Sequence, residues 1–102
     1  MATIRGIVRA GKGRAGSRGM WECATFDDVT VLYHYSTLML KWWNGADGHV
    51  EVLHMSTGLG SVSDQGGMNT AFRELNLPFY YSRCGGAMVE EVSKDGTRTR
   101  IS

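Results

Sequence analysis

Three groups of residues in this chain carry side chains suited to chemistry. His34, His49 and His54 bring imidazoles, the side chain that works as general base or metal ligand near neutral pH. The segment Thr57-Gly58-Leu59-Gly60-Ser61-Val62-Ser63-Asp64 joins two serine hydroxyls and a carboxylate to a glycine-rich backbone. Arg9, Lys12, Arg14 and Arg18 stand in and beside a run rich in glycine, where cations can neutralise phosphate without reading sequence. Each group has a limit. His49 and His54 are five apart, so on one strand they face opposite ways and do not chelate together, and no other spacing demands a metal. Gly60, Ser61 and Ser63 form a candidate anion nest at a helix start, for a phosphate or a partner's carboxylate, but Asp64 already brings negative charge there. The same residues 58–64 are where a small hydrolytic enzyme would be centred. A serine nucleophile needs an oriented base and an oxyanion hole, which spacing does not supply, so no catalytic residue is assigned.

Gly11-x-Gly13-x-x-Gly16 has the letters of a dinucleotide fingerprint, yet the residues after it are β-prone, whereas the fingerprint needs a helix at its third glycine. No cofactor is expected. Charge is asymmetric along the chain. Residues 1–20 hold five basic and no acidic side chains, while the remainder holds six basic and ten acidic ones, so the total of +1 hides a basic segment on an acidic body. Nucleic-acid binding through Arg9, Lys12, Arg14 and Arg18 is therefore one functional expectation.

These groups need elements to position them. With 102 residues, 42% of them hydrophobic and a single proline, the chain is expected to be one domain spanning 1–102, with a flexible basic loop at 11–19. Alternation over residues 3–10 predicts a strand with Ile4, Gly6, Val8 and Ala10 on one face. Residues 20–26 predict the returning strand and Asp27-Asp28 a turn. Residues 29–43 are β-branched and aromatic, too long for one straight strand, so a bend or bulge is expected near Ser36-Thr37. Residues 44–48 read as a hairpin loop and 49–56 as the strand that pairs back, with Val50 and Val52 toward the core and His54 on their side. Ser63 is the expected cap of one helix, about Asp64 to Asn76, whose Met68, Ala71, Phe72 and Leu75 recur at helical spacing. Gly66 and Gly67 weaken its first turns or permit a close backbone approach. Residues 79–83 and 87–92 read as closing strands and 97–102 as a polar tail. The class is α+β, a bent antiparallel sheet of five to seven strands with one packed helix. Cys23 and Cys84 lie too far apart in sequence for a zinc knuckle and are expected as buried free thiols, a single disulfide between them being the other reading.

Trp42-Trp43 and Tyr80-Tyr81 have a further implication. Neighbours in a strand face opposite ways, so one member of each pair points at the core and the other at the far face. An outward aromatic face suits a protein interface or a homo-oligomer better than base stacking, because few cations accompany it. Trp42, Trp43, Tyr80 and Tyr81 are the candidate interface residues. No run is long and apolar enough to span a membrane and no secretory signal is evident, so a cytoplasmic setting is expected.

From His34-Tyr35-Ser36-Thr37-Leu38-Met39, through Ser56-Thr57-Gly58-x-Gly60-Ser61-Val62-Ser63-Asp64-Gln65-Gly66-Gly67-Met68-Asn69, to Tyr80-Tyr81-Ser82-Arg83, the chain resembles small uncharacterised proteins of tailed phages that infect actinobacteria. The resemblance covers residues 34–83 and carries no catalytic residue. It implies a host-cytosolic setting during infection and a small accessory protein. The leading expectation is a non-catalytic binder of a host or phage protein.

Overall fold

The computed structural model describes residues 2–16 and 20–102. Its class is α+β, with two helices and two antiparallel sheets. The first element departs from the expected strand: residues Ile4–Ala10 form helix α1. Thr3 caps it by accepting a hydrogen bond from the Gly6 amide through its side chain, and Gly11 ends it in the left-handed conformation, φ 72°. Ile4, Ile7 and Val8 are the buried residues, which is helical spacing. A seven-residue window fits both periods, and the core selects the helical one because it places all three large side chains on one side.

Five strands follow as a meander: β1 (Gly13–Ala15), β2 (Trp21–Phe26), β3 (Val29–His34), β4 (Thr37–Asn44) and β5 (Val50–Met55), in spatial order β1-β2-β3-β4-β5. Part of the expected loop at 11–19 is thus strand, with Gly13 opposite Cys23 and Ala15 opposite Trp21. Residues 29–44 reverse direction completely at Tyr35-Ser36, where Tyr35 takes φ 55°, instead of merely bending. The irregularities lie elsewhere. Met39 is an extra residue between Leu32↔Leu40 and Tyr33↔Leu38, so Met39 and Leu40 are both buried. Leu53 is an extra residue between Lys41↔His54 and Trp42↔Val52. It shifts the phase of β5, so Met55, not His54, joins Val50 and Val52 against the core.

Helix α2 runs Val62–Glu74. Its cap is Ser61, not Ser63: the Ser61 side chain accepts from the Asp64 amide while Asp64 accepts from the Ser61 amide, a reciprocal capping box. Met68, Ala71 and Phe72 are buried and Leu75 is partly so, as their spacing predicts. Gly67 is the close approach: a Cβ there would stand 2.0 Å from the Trp21 ring. Strands β6 (Phe79–Ser82), β7 (Met88–Val92) and β8 (Arg98–Arg100) make the second sheet. The expected polar tail supplies β8, because Glu90 and Glu91 pair with Arg100 and Thr99. Asn69 on α2 ties this sheet to the helix by donating to the Tyr81 carbonyl and accepting from the Tyr81 amide. One hydrophobic cluster joins α1, α2 and both sheets, from Ile4 and Trp21 to Tyr81 and Val89. No described helix is long and apolar enough to cross a membrane.

Candidate functional site

The capping box of α2 has a second use. Asp64 is buried, and its Oδ2 accepts from the Leu59 amide at 3.0 Å and the Ser61 amide at 3.1 Å. Its Oδ1 lies 2.6 Å from Nδ1 of His34, the last residue of β3. A carboxylate only accepts, so Nδ1 carries the shared proton and donates it. Burial alone would push the Asp64 carboxyl up, but the His34 hydrogen bond and the amide and hydroxyl of Ser61 outweigh it and hold the group below its ordinary value. The imidazole is held from a second side by Trp21, whose ring stacks on it at 4.1 Å between centroids and 8° between planes. Trp21 in turn lies against Gly67 of α2. Gly67, Trp21, His34 and Asp64 therefore close a circuit from the helix interior through two strands to the helix start.

A cleft of about 500 Å³ opens in front of this circuit, between the β3–β4 turn and residues 58–63. Its walls include His34, Ser36, Thr37, Ser61 and Ser63, with Tyr35 and Leu59 on either side. Tyr35 is 67% exposed and Leu59 96%. Leu59 is displayed by a tight turn: Gly58 and Gly60 both have positive φ, 61° and 76°, and the Leu59 amide is pinned to Asp64. Arg83 donates to the Gly60 carbonyl at 2.8 Å, and the Tyr81 hydroxyl donates to the Thr57 carbonyl, so the turn is fastened at both shoulders.

The Asp–His arrangement is that of a catalytic carboxylate orienting its base. Nε2 of His34, however, is buried, and among the described residues it has no hydrogen-bond partner, so no hydroxyl is placed for it to activate. The expected anion nest at Gly60, Ser61 and Ser63 is filled from within: the carboxylate of Asp64 takes the Leu59 and Ser61 amides, and the Ser61 hydroxyl accepts from the Asp64 amide. The other histidines are elsewhere, His49 edge-on to Trp43 and His54 opposite Lys41.

The remaining candidates are scattered. Arg9 and Arg5 both reach Glu74 on α2, at 2.7 and 3.4 Å, and Arg14 reaches Glu22 at 3.2 Å. The Arg9 hydrogen bond and nearby arginine charge hold Glu74 below its ordinary range. Part of the basic segment is thus paired with the acidic body of its own chain. Lys12 is exposed, and Arg18 lies outside the described residues. Trp42 and Tyr81 are fully interior, whereas Trp43 and Tyr80 reach solvent. Trp42 donates from its ring nitrogen to Asn44, and burial pushes the Tyr81 hydroxyl above its ordinary value. Cys23 is buried, its thiol pushed up to about 11 by desolvation; Cys84, expected inside, is exposed on the β6–β7 turn.

The sequence signal for the capping box, a serine three residues ahead of an aspartate, was present at Ser61 and Asp64. The partnership of His34 with Asp64 had none, since thirty positions separate them. Comparison with protein-family profiles, with curated proteins and with solved structures finds no significant match for this chain.

Proposed function

We propose that this protein is a non-catalytic binding protein that docks a partner protein at the cleft between Tyr35 and Leu59. The observation that carries the reading is Leu59: an almost fully exposed leucine, on a turn built from two positive-φ glycines and tied to a buried carboxylate. A leucine on a floppy loop would lose entropy on docking. One held out in advance keeps most of the roughly 2 kcal/mol that burying it yields. Polar wall residues beside it, Ser36, Thr37, Ser61 and Ser63, supply hydrogen bonds that give register to a bound segment.

On the resemblance of residues 34–83, which contain both sides of the cleft, to small actinobacteriophage proteins, the partner would be a host or phage protein met in the host cytosol. Hydrolysis at residues 58–64 ranks behind, for want of a hydroxyl at His34 Nε2 among the described residues. Nucleic-acid binding ranks behind as well, since Arg9 and Arg14 are engaged by Glu74 and Glu22.

A photo-crosslinking residue at position 59, in protein added to lysate of infected actinobacteria, should capture one discrete partner. Leu59→Ser should weaken retention of that partner about 10-fold or more. Capture no stronger than from exposed Asp47 on the far hairpin refutes the proposal.

A further inference from the structure

The five-stranded sheet presents its second face to solvent, and that face has the wrong composition for a solvated one. Directly paired residues of an antiparallel sheet share a face. One cross-strand row is Arg14, Glu22, Tyr33 and Leu38, the next is Ala24, Val31, Lys41 and His54, and the third is Phe26, Val29, Trp43 and Glu51. In β3 the partition is complete: Thr30, Leu32 and His34 are buried on the core side, and Val29, Val31 and Tyr33 point away from it. A sheet with one wet face ordinarily alternates apolar inside with polar outside. Here the centre of the outer face, Val29, Val31, Tyr33, Leu38 and Trp43, is apolar or aromatic as well, and the charged residues lie around it. Leu53, unpaired at the bulge in β5, is exposed as well. None of the residues in the three rows is buried, and Phe26 is 74% and Trp43 38% exposed. Both helices lie on the opposite side, with α2 against Trp21 and α1 in the same cluster. The smallest extent of the fold, 19 Å, agrees with a sheet covered on one side, since packed layers stand about 10 Å apart.

We propose that this face is a homodimer interface, on which two copies of the chain pack sheet to sheet about a two-fold axis parallel to β3. Charge selects a second copy over a strongly charged partner. The face carries Arg14 and Lys41 against Glu22 and Glu51, which leaves no net charge to attract a polyanion or a basic protein. The two-fold axis lays β2 of each copy over β4 of the other and β1 over β5. Phe26, the most exposed aromatic on the face, then meets Trp43 of the second copy, and Glu22 falls within one row of its Lys41. An isologous contact repeats each of these pairings twice. Four strands about 20 Å long and the shorter β1, about 4.8 Å apart, expose roughly 600–700 Å² per copy once side-chain relief is counted, near the 800 Å² or so of a standard interface.

Sedimentation velocity on the full chain tests this. Wild type should sediment at twice the 11.2 kDa chain mass at micromolar concentration. Val31→Lys, at the centre of the face, and Phe26→Ser, at its exposed corner, should each weaken dimerisation by about 30-fold or more while keeping the wild-type circular dichroism spectrum. Phe26 is already largely exposed, so its replacement remains informative if Val31→Lys does not fold. Leu59→Ser should leave the mass unchanged, which separates this interface from the cleft. A wild-type chain still monomeric at about 100 µM overturns the proposal. So does a dimer that folded Val31→Lys or Phe26→Ser leaves intact.

Discussion

Asp64→Ala removes the acceptor on which three hydrogen bonds converge, from the Leu59 amide, the Ser61 amide and His34 Nδ1. The site is buried, so the variant leaves the imidazole and at least one amide without a partner and also dismantles half of the capping box. Hydrogen bonds to a charged group contribute about 1.5–3 kcal/mol each, and the amides nearest the cleft regain some of this from water. A net loss of about 3–5 kcal/mol is expected, comparable to breaking a buried ion pair. Against a total of about 5–15 kcal/mol for a chain of this size, that is a large fraction. In urea the midpoint should fall by about 2–3 M at an ordinary slope for a small domain. Asp64→Asn keeps one oxygen for the amides and should lose about 1–2 kcal/mol.

The pH dependence follows from the direction of the Asp64 shift. Its carboxyl is held below the ordinary 3.8, so the folded state binds the proton less tightly than the unfolded state. The resulting stability is fully present above 3.8 and is lost as pH falls through the folded-state value. Asp95, lowered to about 2 by Ser93 and Thr97, adds to acid sensitivity, so the informative quantity is wild type minus Asp64→Asn. That difference should shrink as pH falls below the region of 3.8. A loss under about 1 kcal/mol for Asp64→Ala, or a difference flat to the acid limit, would falsify the account of this carboxylate as the anchor of the cleft.

Two further outcomes are expected. Gly67→Ala should destabilise by about 2–4 kcal/mol in thermal unfolding despite alanine's better helix propensity, because the new methyl group meets the buried Trp21 ring; an unchanged or raised midpoint counts against the packing of α2 on β2. A thiol reagent at pH 8 should titrate Cys84 promptly and Cys23 only after unfolding, since Cys23 is buried and its thiol is pushed up to about 11; two fast thiols would contradict the buried position of Cys23.

Much of the architecture was legible because it depends on neighbours in the chain. Met68, Ala71, Phe72 and Leu75 placed the inner face of α2, Asp27-Asp28 and residues 44–48 marked turns, and adjacency separated interior Trp42 from exposed Trp43. Residues 3–10 alternate as a strand would but form a helix, and Thr3 as a cap and Gly11 as a stop mark its ends. Alternation and helical spacing overlap in so short a window, and only burial of Ile4, Ile7 and Val8 together separates them.

Residues distant in the chain follow a different logic. Whether Met55 or His54 faces the core depends on one unpaired residue in the ladder, Leu53, because a one-residue slip reverses every side chain beyond it. His34 meets Asp64 because β3 ends where α2 begins, and the cleft exists because the turn after β3 stops short of residues 58–63. The apolar outer face likewise follows from three strands brought into register, none of which is unusual alone. Local preference set the kinds of element this chain forms. Their mutual placement, and with it both candidate binding surfaces, came from the long-range packing of one shared core.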